Sequence, residues 1–224
     1  MTFSISARCP TTGMFGLAIS SSSPAVAARC AHARAGVGLV ATQNITDPSL
    51  GPLGLDLMAR GASAEQARDI LVTTRPHIDY RQLTLVDAAG RTATFSGRRT
   101  LGVHAVAEGN GVVAAGNMLA GPGVPQAMVD GFLASAGPLG DRLLAAMRAG
   151  LAAGGEAGPV HSAGLLLVRD VAWPVADLRV DWDDADPIGA LERLWALYAP
   201  QLDTYVSRAL DPSDAPSYGV PGDE

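Results

Sequence analysis

Apolar and polar residues alternate from the first positions of the chain, Thr2-Phe3-Ser4-Ile5-Ser6-Ala7-Arg8, and this alternation predicts a strand over residues 2–8. A second strand is predicted over 14–21, where Phe15, Leu17 and Ile19 alternate with small residues, as in a strand covered on both faces. Thr11-Thr12-Gly13 between them has the composition of a turn. Ser20 to Ser23 form a polar cluster where the hairpin ends, and Pro24 breaks the pattern. Residues 36–42 predict a third strand running into Gln43-Asn44, followed by a glycine- and proline-marked loop from Asp47 to Gly54.

Ser63-Ala64-Glu65-Gln66 is a capping box, so a helix is predicted over about 64–73, stopping before Arg75-Pro76. Two hairpins follow, 81–86 with 91–96 and 101–107 with 112–116, the second turning at Gly109-Asn110-Gly111. Helices over about 124–135 and 138–152, the second closed by Gly154-Gly155, precede strands at 163–168 and 176–181. A last helix starts at Asp186-Pro187, with Ile188, Leu191, Leu194, Tyr198, Leu202 and Tyr205 on one apolar face. From Asp211 the composition turns to Asp, Pro, Ser and Gly, predicting a single domain over 1–210 and a loose tail over 211–224.

Hairpins interleaved with helix pairs do not follow the strict alternation of a parallel Rossmann sheet. A four-layer αββα sandwich of the α+β class accommodates this order, with two antiparallel sheets face to face and helices outside both. Periodicity alone leaves other α+β arrangements open.

Composition narrows the chemistry. The net charge of −6 and an aromatic share of 5% argue against nucleic acid as a partner. No apolar run approaches the ~20 residues of a membrane span, and no basic-then-apolar leader is apparent. A cytoplasmic protein is expected, with no membrane partner, and its Ala- and Gly-rich apolar character suits a homo-oligomer. All 16 basic residues are Arg. The absence of Lys removes the P-loop lysine, the Schiff-base lysine of pyridoxal enzymes and any Ser-Lys dyad. Cys9 and Cys30 are too few for a disulfide framework or a four-Cys zinc site, and His32, His77, His104 and His161 are scattered, so no metal or organic cofactor is expected.

Thr2 carries the candidate chemistry. Removal of Met1 would leave a free α-amine beside the Thr2 hydroxyl, and such an amine, titrating near ~7.7–8.0, can act as the base for that nucleophile. The competing reading is an ordinary first strand that starts early.

Five stretches occur in order: residues 1–8 just quoted, Pro24-Ala25-Val26, residues 35–43 (Ala-Gly-Val-Gly-Leu-Val-Ala-Thr-Gln), Gly116-Asn117-Met118-Leu119-Ala120-Gly121, and Asp177-Leu178-Arg179-Val180-Asp181 extended by Asp186-Pro187-Ile188. Together they resemble a family of uncharacterised bacterial proteins, a domain of unknown function within the Ntn-hydrolase superfamily, over roughly residues 2–200. The resemblance implies an αββα sandwich and amide-bond hydrolysis by the N-terminal residue, here Thr2, without implying a substrate. Many relatives carry Lys after the second strand, where this chain has Ser22 or Ser23, whose hydroxyls supply no charge.

Further residues take roles around Thr2. The Asn117 amide is a candidate donor to the oxyanion of a tetrahedral intermediate; its alternative use is a turn asparagine at positive φ. Ser21, Ser22 and Ser23 are candidates for the mouth of the sandwich, and Thr42, Gln43 and Asn44 for substrate binding at a strand end. Asp177 and Arg179, two apart on one strand face, could anchor a substrate or close a structural ion pair. The acidic run Asp181–Asp186 lacks the Gly and bidentate Glu of an EF-hand loop and reads as a solvated turn and helix cap. The expected activity is an N-terminal-nucleophile amidohydrolase that acts on a small amide or ureide through an acyl-enzyme. The alternative is a non-catalytic Ntn-fold protein that binds a small metabolite.

Overall fold

The computed structural model describes residues 1–221. The tail residues 222–224 lie outside them. The chain runs β1 (Thr2–Arg8), β2 (Phe15–Ser21), α1 (Val26–Cys30), β3 (Ala31–Arg34), β4 (Gly38–Asn44), α2 (Leu50–Ala59) and α3 (Ala64–Thr74). It continues with β5 (Arg81–Asp87), β6 (Thr92–Ser96), β7 (Ala105–Gly109), β8 (Val112–Asn117), α4 (Val124–Ala134) and α5 (Leu139–Ala152). The remaining elements are β9 (Ser162–Val168), β10 (Ala176–Val180), α6 (Pro187–Tyr198) and α7 (Leu202–Leu210). Among the described residues no helix is long and apolar enough to cross a membrane.

Two antiparallel sheets form, a six-stranded one in the order β10-β9-β2-β1-β8-β7 and a four-stranded one in the order β3-β4-β5-β6. Because side chains alternate faces along a strand, each sheet has an outward and an inward row. Phe3, Ile5 and Ala7 of β1 turn outward to join Met128, Phe132, Leu143 and Met147 of α4 and α5, with Ile188, Leu191 and Trp195 of α6 in the same cluster. On the other side, Val40, Leu83 and Leu85 pack under Leu50, Leu55, Ala67 and Leu71 of α2 and α3. Between the sheets lie Phe15, Leu17, Ile19, Leu39, Ala41, Val86, Val113 and Val168. The four layers of the αββα sandwich are all present.

Local signals account for most boundaries. The capping box forms: the Gln66 amide donates to Ser63 Oγ at 3.1 Å, and the Ser63 amide donates to Gln66 Oε1 at 2.9 Å. Asp186 caps α6 by accepting from the Gly189 amide at 2.9 Å. The segment predicted as a loop from Asp47 to Gly54 is instead largely helix, since α2 begins at Leu50. Pro52 sits in its first turn, where a missing N–H is harmless. Gly51 and Gly54 let the helix press onto the sheet: a Cβ on Gly51 would meet the His32 ring at 2.1 Å, and one on Gly54 would lie 3.0 Å from Val40. α1 and β3 lie within a stretch for which no element was predicted. The last apolar face is divided between α6 and α7 by a 3-10 turn at Ala199–Gln201, where Pro200 supplies no amide for a continuous helix. Beyond α7, Arg208 lies 3.5 Å from the Tyr218 ring centroid and donates to the Pro216 carbonyl.

Candidate active site

The inner faces change character along their length. At one end of the larger sheet, strand register sets Asn117 opposite Thr2, and Ser21 opposite Ser162, with Phe3 opposite Ser20 fixing the register between β1 and β2. Asn117, Thr2, Ser21 and Ser162 thus form a polar row across β8, β1, β2 and β9, each at most 4% exposed. The smaller sheet faces it with a second row, Gln43 opposite Gln82 and Gln82 opposite Ser96.

Directed hydrogen bonds join the two rows. Ser4 Oγ donates to Gln43 Oε1 at 2.8 Å, and Gln43 Nε2 donates to Gln82 Oε1 at 2.8 Å. Asn117 Nδ2 donates to the same Gln82 oxygen at 3.1 Å. Gln82 Nε2 donates to the Gly116 carbonyl at 3.0 Å and to Ser96 Oγ at 3.1 Å. Asn117 Oδ1 is buried without a partner, and the second hydrogen of Nδ2 is not used by Gln82.

Thr2 Oγ1 donates to the Met1 carbonyl and lies 3.4 Å from Ser21 Oγ. Ser21 Oγ donates to that same carbonyl. Ser23 Oγ stands 2.9 Å from Ser21 Oγ and accepts from Arg29 Nη2 at 3.0 Å. A cation is therefore linked through two serines to the atoms around Thr2, in a chain that has no Lys. With Met1 in place Thr2 retains 4% of its surface.

Glu156 closes this end of the sheet. Glu156 is 4% exposed, and its carboxylate accepts from the Ser22 amide at 3.2 Å to each oxygen. Burial pushes its pKa up to about 7, opposed by the positive charge of the chain's terminal amine and by the Ser22 hydrogen bond. The backbone brings it there. Met118, at φ 50°, turns the chain out of β8. Leu119 then pairs with Glu156, and the Ala157 amide donates to the Met118 carbonyl at 2.9 Å. The positive φ considered for Asn117 therefore falls one residue later, and Asn117 itself is strand.

The structure brings together Thr2, Asn117, Ser21, Ser22, Ser23 and Gln43 of the residues singled out from sequence. Thr42 shares the parity of Val40 and turns to the helix side, where its Oγ1 donates to the Asp47 carbonyl at 3.3 Å. Asn44, at φ 72°, ties loops together by donating to the Tyr80 carbonyl at 2.6 Å and accepting from the Leu101 amide at 3.2 Å. Asp177 and Arg179 lie on the edge strand β10, three strands from β1, paired through two hydrogen bonds of 2.7 Å. They line a separate groove of about 300 Å³ with His32, Arg34 and Leu55. A cavity of about 450 Å³ lined by Cys9, Met14, Asp141 and Trp195 opens at the far end of β1, away from Thr2.

Glu156, Gln82, Ser4, Ser162 and Arg29 were missed from sequence. Only Glu156 carries a local signal, because it is the one Asp, Glu or Arg between Arg148 and Arg169.

A model of the family described as "Family of unknown function (DUF1028)" matches residues 2–191. No functionally curated protein matches. Among solved structures, SPO2555 from Silicibacter pomeroyi, itself assigned to the DUF1028 model, is similar at 31% identity and a TM-score of 0.84, covering 91% of this chain and 94% of its own. Anbu (ancestral beta-subunit) from Yersinia bercovieri aligns at 13% identity and a TM-score of 0.41, over 91% of this chain and 97% of its own, too distant to bear on function.

Proposed function

This chain belongs to the DUF1028 family, and from that membership and the polar row around Thr2 we propose an N-terminal-nucleophile amidohydrolase that acts on a small-molecule amide. The observation that carries the reading is the meeting of the Thr2 and Ser21 hydroxyls on the Met1 carbonyl, at the foot of the row that holds Asn117. Removal of Met1 leaves the Thr2 α-amine beside its own Oγ, and uncovers the residue.

The reaction runs in two halves. Thr2 Oγ attacks the substrate carbonyl carbon while the α-amine takes the hydroxyl proton. The oxyanion that forms accepts from the free N–H of Asn117 Nδ2 and from backbone amides. Collapse breaks the C–N bond, the proton passes from the amine to the leaving nitrogen, and an acyl ester remains on Thr2. Water then attacks the ester, gives a proton to the α-amine, and releases the acid as Thr2 regains its hydrogen. Ser21, oriented by Ser23 and Arg29, holds the reacting carbonyl.

Mass spectrometry tests the reading directly. The purified protein is expected to lack Met1 and to gain one acyl mass on Thr2 with an acylating amide probe, a gain absent in Thr2→Ala. Quantitative retention of Met1 in a protein that turns over amides would overturn the amine mechanism. The second reading, a protein that binds a small metabolite without chemistry, draws support from the closure of Thr2 to 4% exposure. It expects Met1 retained and no acyl adduct.

A further inference from the structure

Hydrogen-bond polarity runs through the polar end of the sandwich from a backbone group outward. The Gly116 carbonyl can only accept, so it fixes which end of the Gln82 amide faces it. Gln82 Nε2 uses its two hydrogens on that carbonyl at 3.0 Å and on Ser96 Oγ at 3.1 Å. Gln82 Oε1 takes two donors, Gln43 Nε2 at 2.8 Å and Asn117 Nδ2 at 3.1 Å. Gln82 is then saturated, and it orients Asn117: Nδ2 faces Gln82 and keeps one unused hydrogen. Asn117 Oδ1 is left as a buried acceptor with no donor, on a residue that is 0% exposed. Such a group costs stability unless something supplies a hydrogen. Asn117 stands directly opposite Thr2 in the register of β8 and β1, so a group held against the Thr2 hydroxyl is the one that can supply it.

Oδ1 and Nδ2 lie about 2.3 Å apart on one planar head, the same separation as the oxygen and nitrogen of any amide. Two amides can therefore meet edge to edge, each giving one N–H to the oxygen of the other. We infer that Asn117 reads its substrate in this way, its free N–H taking the scissile carbonyl and its Oδ1 accepting from the scissile nitrogen, so that the substrates are amides with an N–H on the same side as the C=O. Primary carboxamides and ureides present that edge, and so do small lactams. An ordinary peptide bond is trans and turns its N–H to the opposite side, so peptides are excluded. The inference rests on the amidohydrolase reading for the chemistry and narrows its substrate class. As the C–N bond of a primary amide breaks, the proton on the α-amine passes to the leaving nitrogen and ammonia departs, while the acyl group stays on Thr2.

The test uses the Met1-free protein with propionamide, N-methylpropionamide and the lactam pyrrolidinone. The last two have the same number of heavy atoms, but ring closure in the lactam turns its N–H to the oxygen side. Binding is followed by ligand-observed NMR, and hydrolysis by release of ammonia or methylamine and by the mass of Thr2. Propionamide and pyrrolidinone are expected to bind at least about tenfold tighter than N-methylpropionamide. Asn117→Leu is expected to erase that preference. Equal binding of the three, binding of none, or pyrrolidinone as weak as N-methylpropionamide would overturn the inference, and so would a preference that survives in Asn117→Leu. The comparison within the wild-type protein stands even where the variant folds poorly. Preference without ammonia release or acyl-Thr2 overturns the nucleophile reading and leaves the ligand class standing. Acylation of Thr2 by N-methylpropionamide as fast as by propionamide does the reverse.

Discussion

The space between the two sheets has two ends built from the same strands, and they are held by different physics. At one end Phe15, Leu17, Leu39, Val86, Val113 and Val168 fill volume without direction. At the other, Ser4, Gln43, Gln82, Ser96 and Asn117 are joined by hydrogen bonds of fixed geometry, and beside them Thr2 and Ser21 bond to each other and to the Met1 carbonyl. β2, β4, β5 and β8 each contribute residues to both ends, so the apolar end sets the spacing at which the polar end must bond. Burial at one end holds stability, and directed polarity at the other fixes the groups to which the proposed function assigns chemistry. Substitutions at the two ends should therefore separate stability from activity.

The largest separation is expected at Thr2. Thr2→Ala should lower amide turnover at least about a thousandfold, as loss of a nucleophile does, with a thermal midpoint within a few degrees of wild type. Retained turnover would break the assignment of chemistry to the polar end. Leu17→Ala, at the apolar end, should do the opposite. It removes a fully buried side chain and should cost about 2–5 kcal/mol in denaturant unfolding, with activity per folded molecule unchanged.

Glu156 tests the polar end by pH. Its folded pKa of about 7 lies above the ordinary value of 4.5, so the folded state holds the proton more tightly than the unfolded one. Its contribution is fully favourable below about 4.5 and is lost as pH rises through about 7, a loss of up to about 3 kcal/mol. Unfolding free energy measured across that window should fall for wild type. Glu156→Gln should remove this component of the slope, and an unchanged slope would refute the buried-acid description.

Gln82 sharpens the comparison from within the network. Gln82→Leu leaves the Gln43 and Asn117 amides without their acceptor, which should cost about 1–3 kcal/mol and reduce turnover as well. An effect on stability alone would sever the network from the site. The smallest effect is expected for Arg29→Ala. Its bond to Ser23 is partly exposed, so turnover should fall about tenfold or less, with stability changed by under about 1 kcal/mol.

The sequence by itself determined the elements whose signals are local. The alternation in β1 and β2, the Ser63–Gln66 capping box and the Asp186 cap act within a few residues, where the energies that choose a helix or a strand also act. The same locality identified Thr2 and Asn117 as candidates, and it misread Asp47–Gly54, because the glycines of α2 answer to His32 and Val40 across a packing interface. Only the tertiary structure decided that Asn117, Thr2, Ser21 and Ser162 share one row, and that Thr42, Asp177 and Arg179 stand apart from it. It alone brought Glu156 to the Ser22 amide and Gln82 to Asn117. Those meetings depend on strand order and register between segments far apart in the chain, and a register shift of one residue would turn every polar side chain in the row to the opposite face.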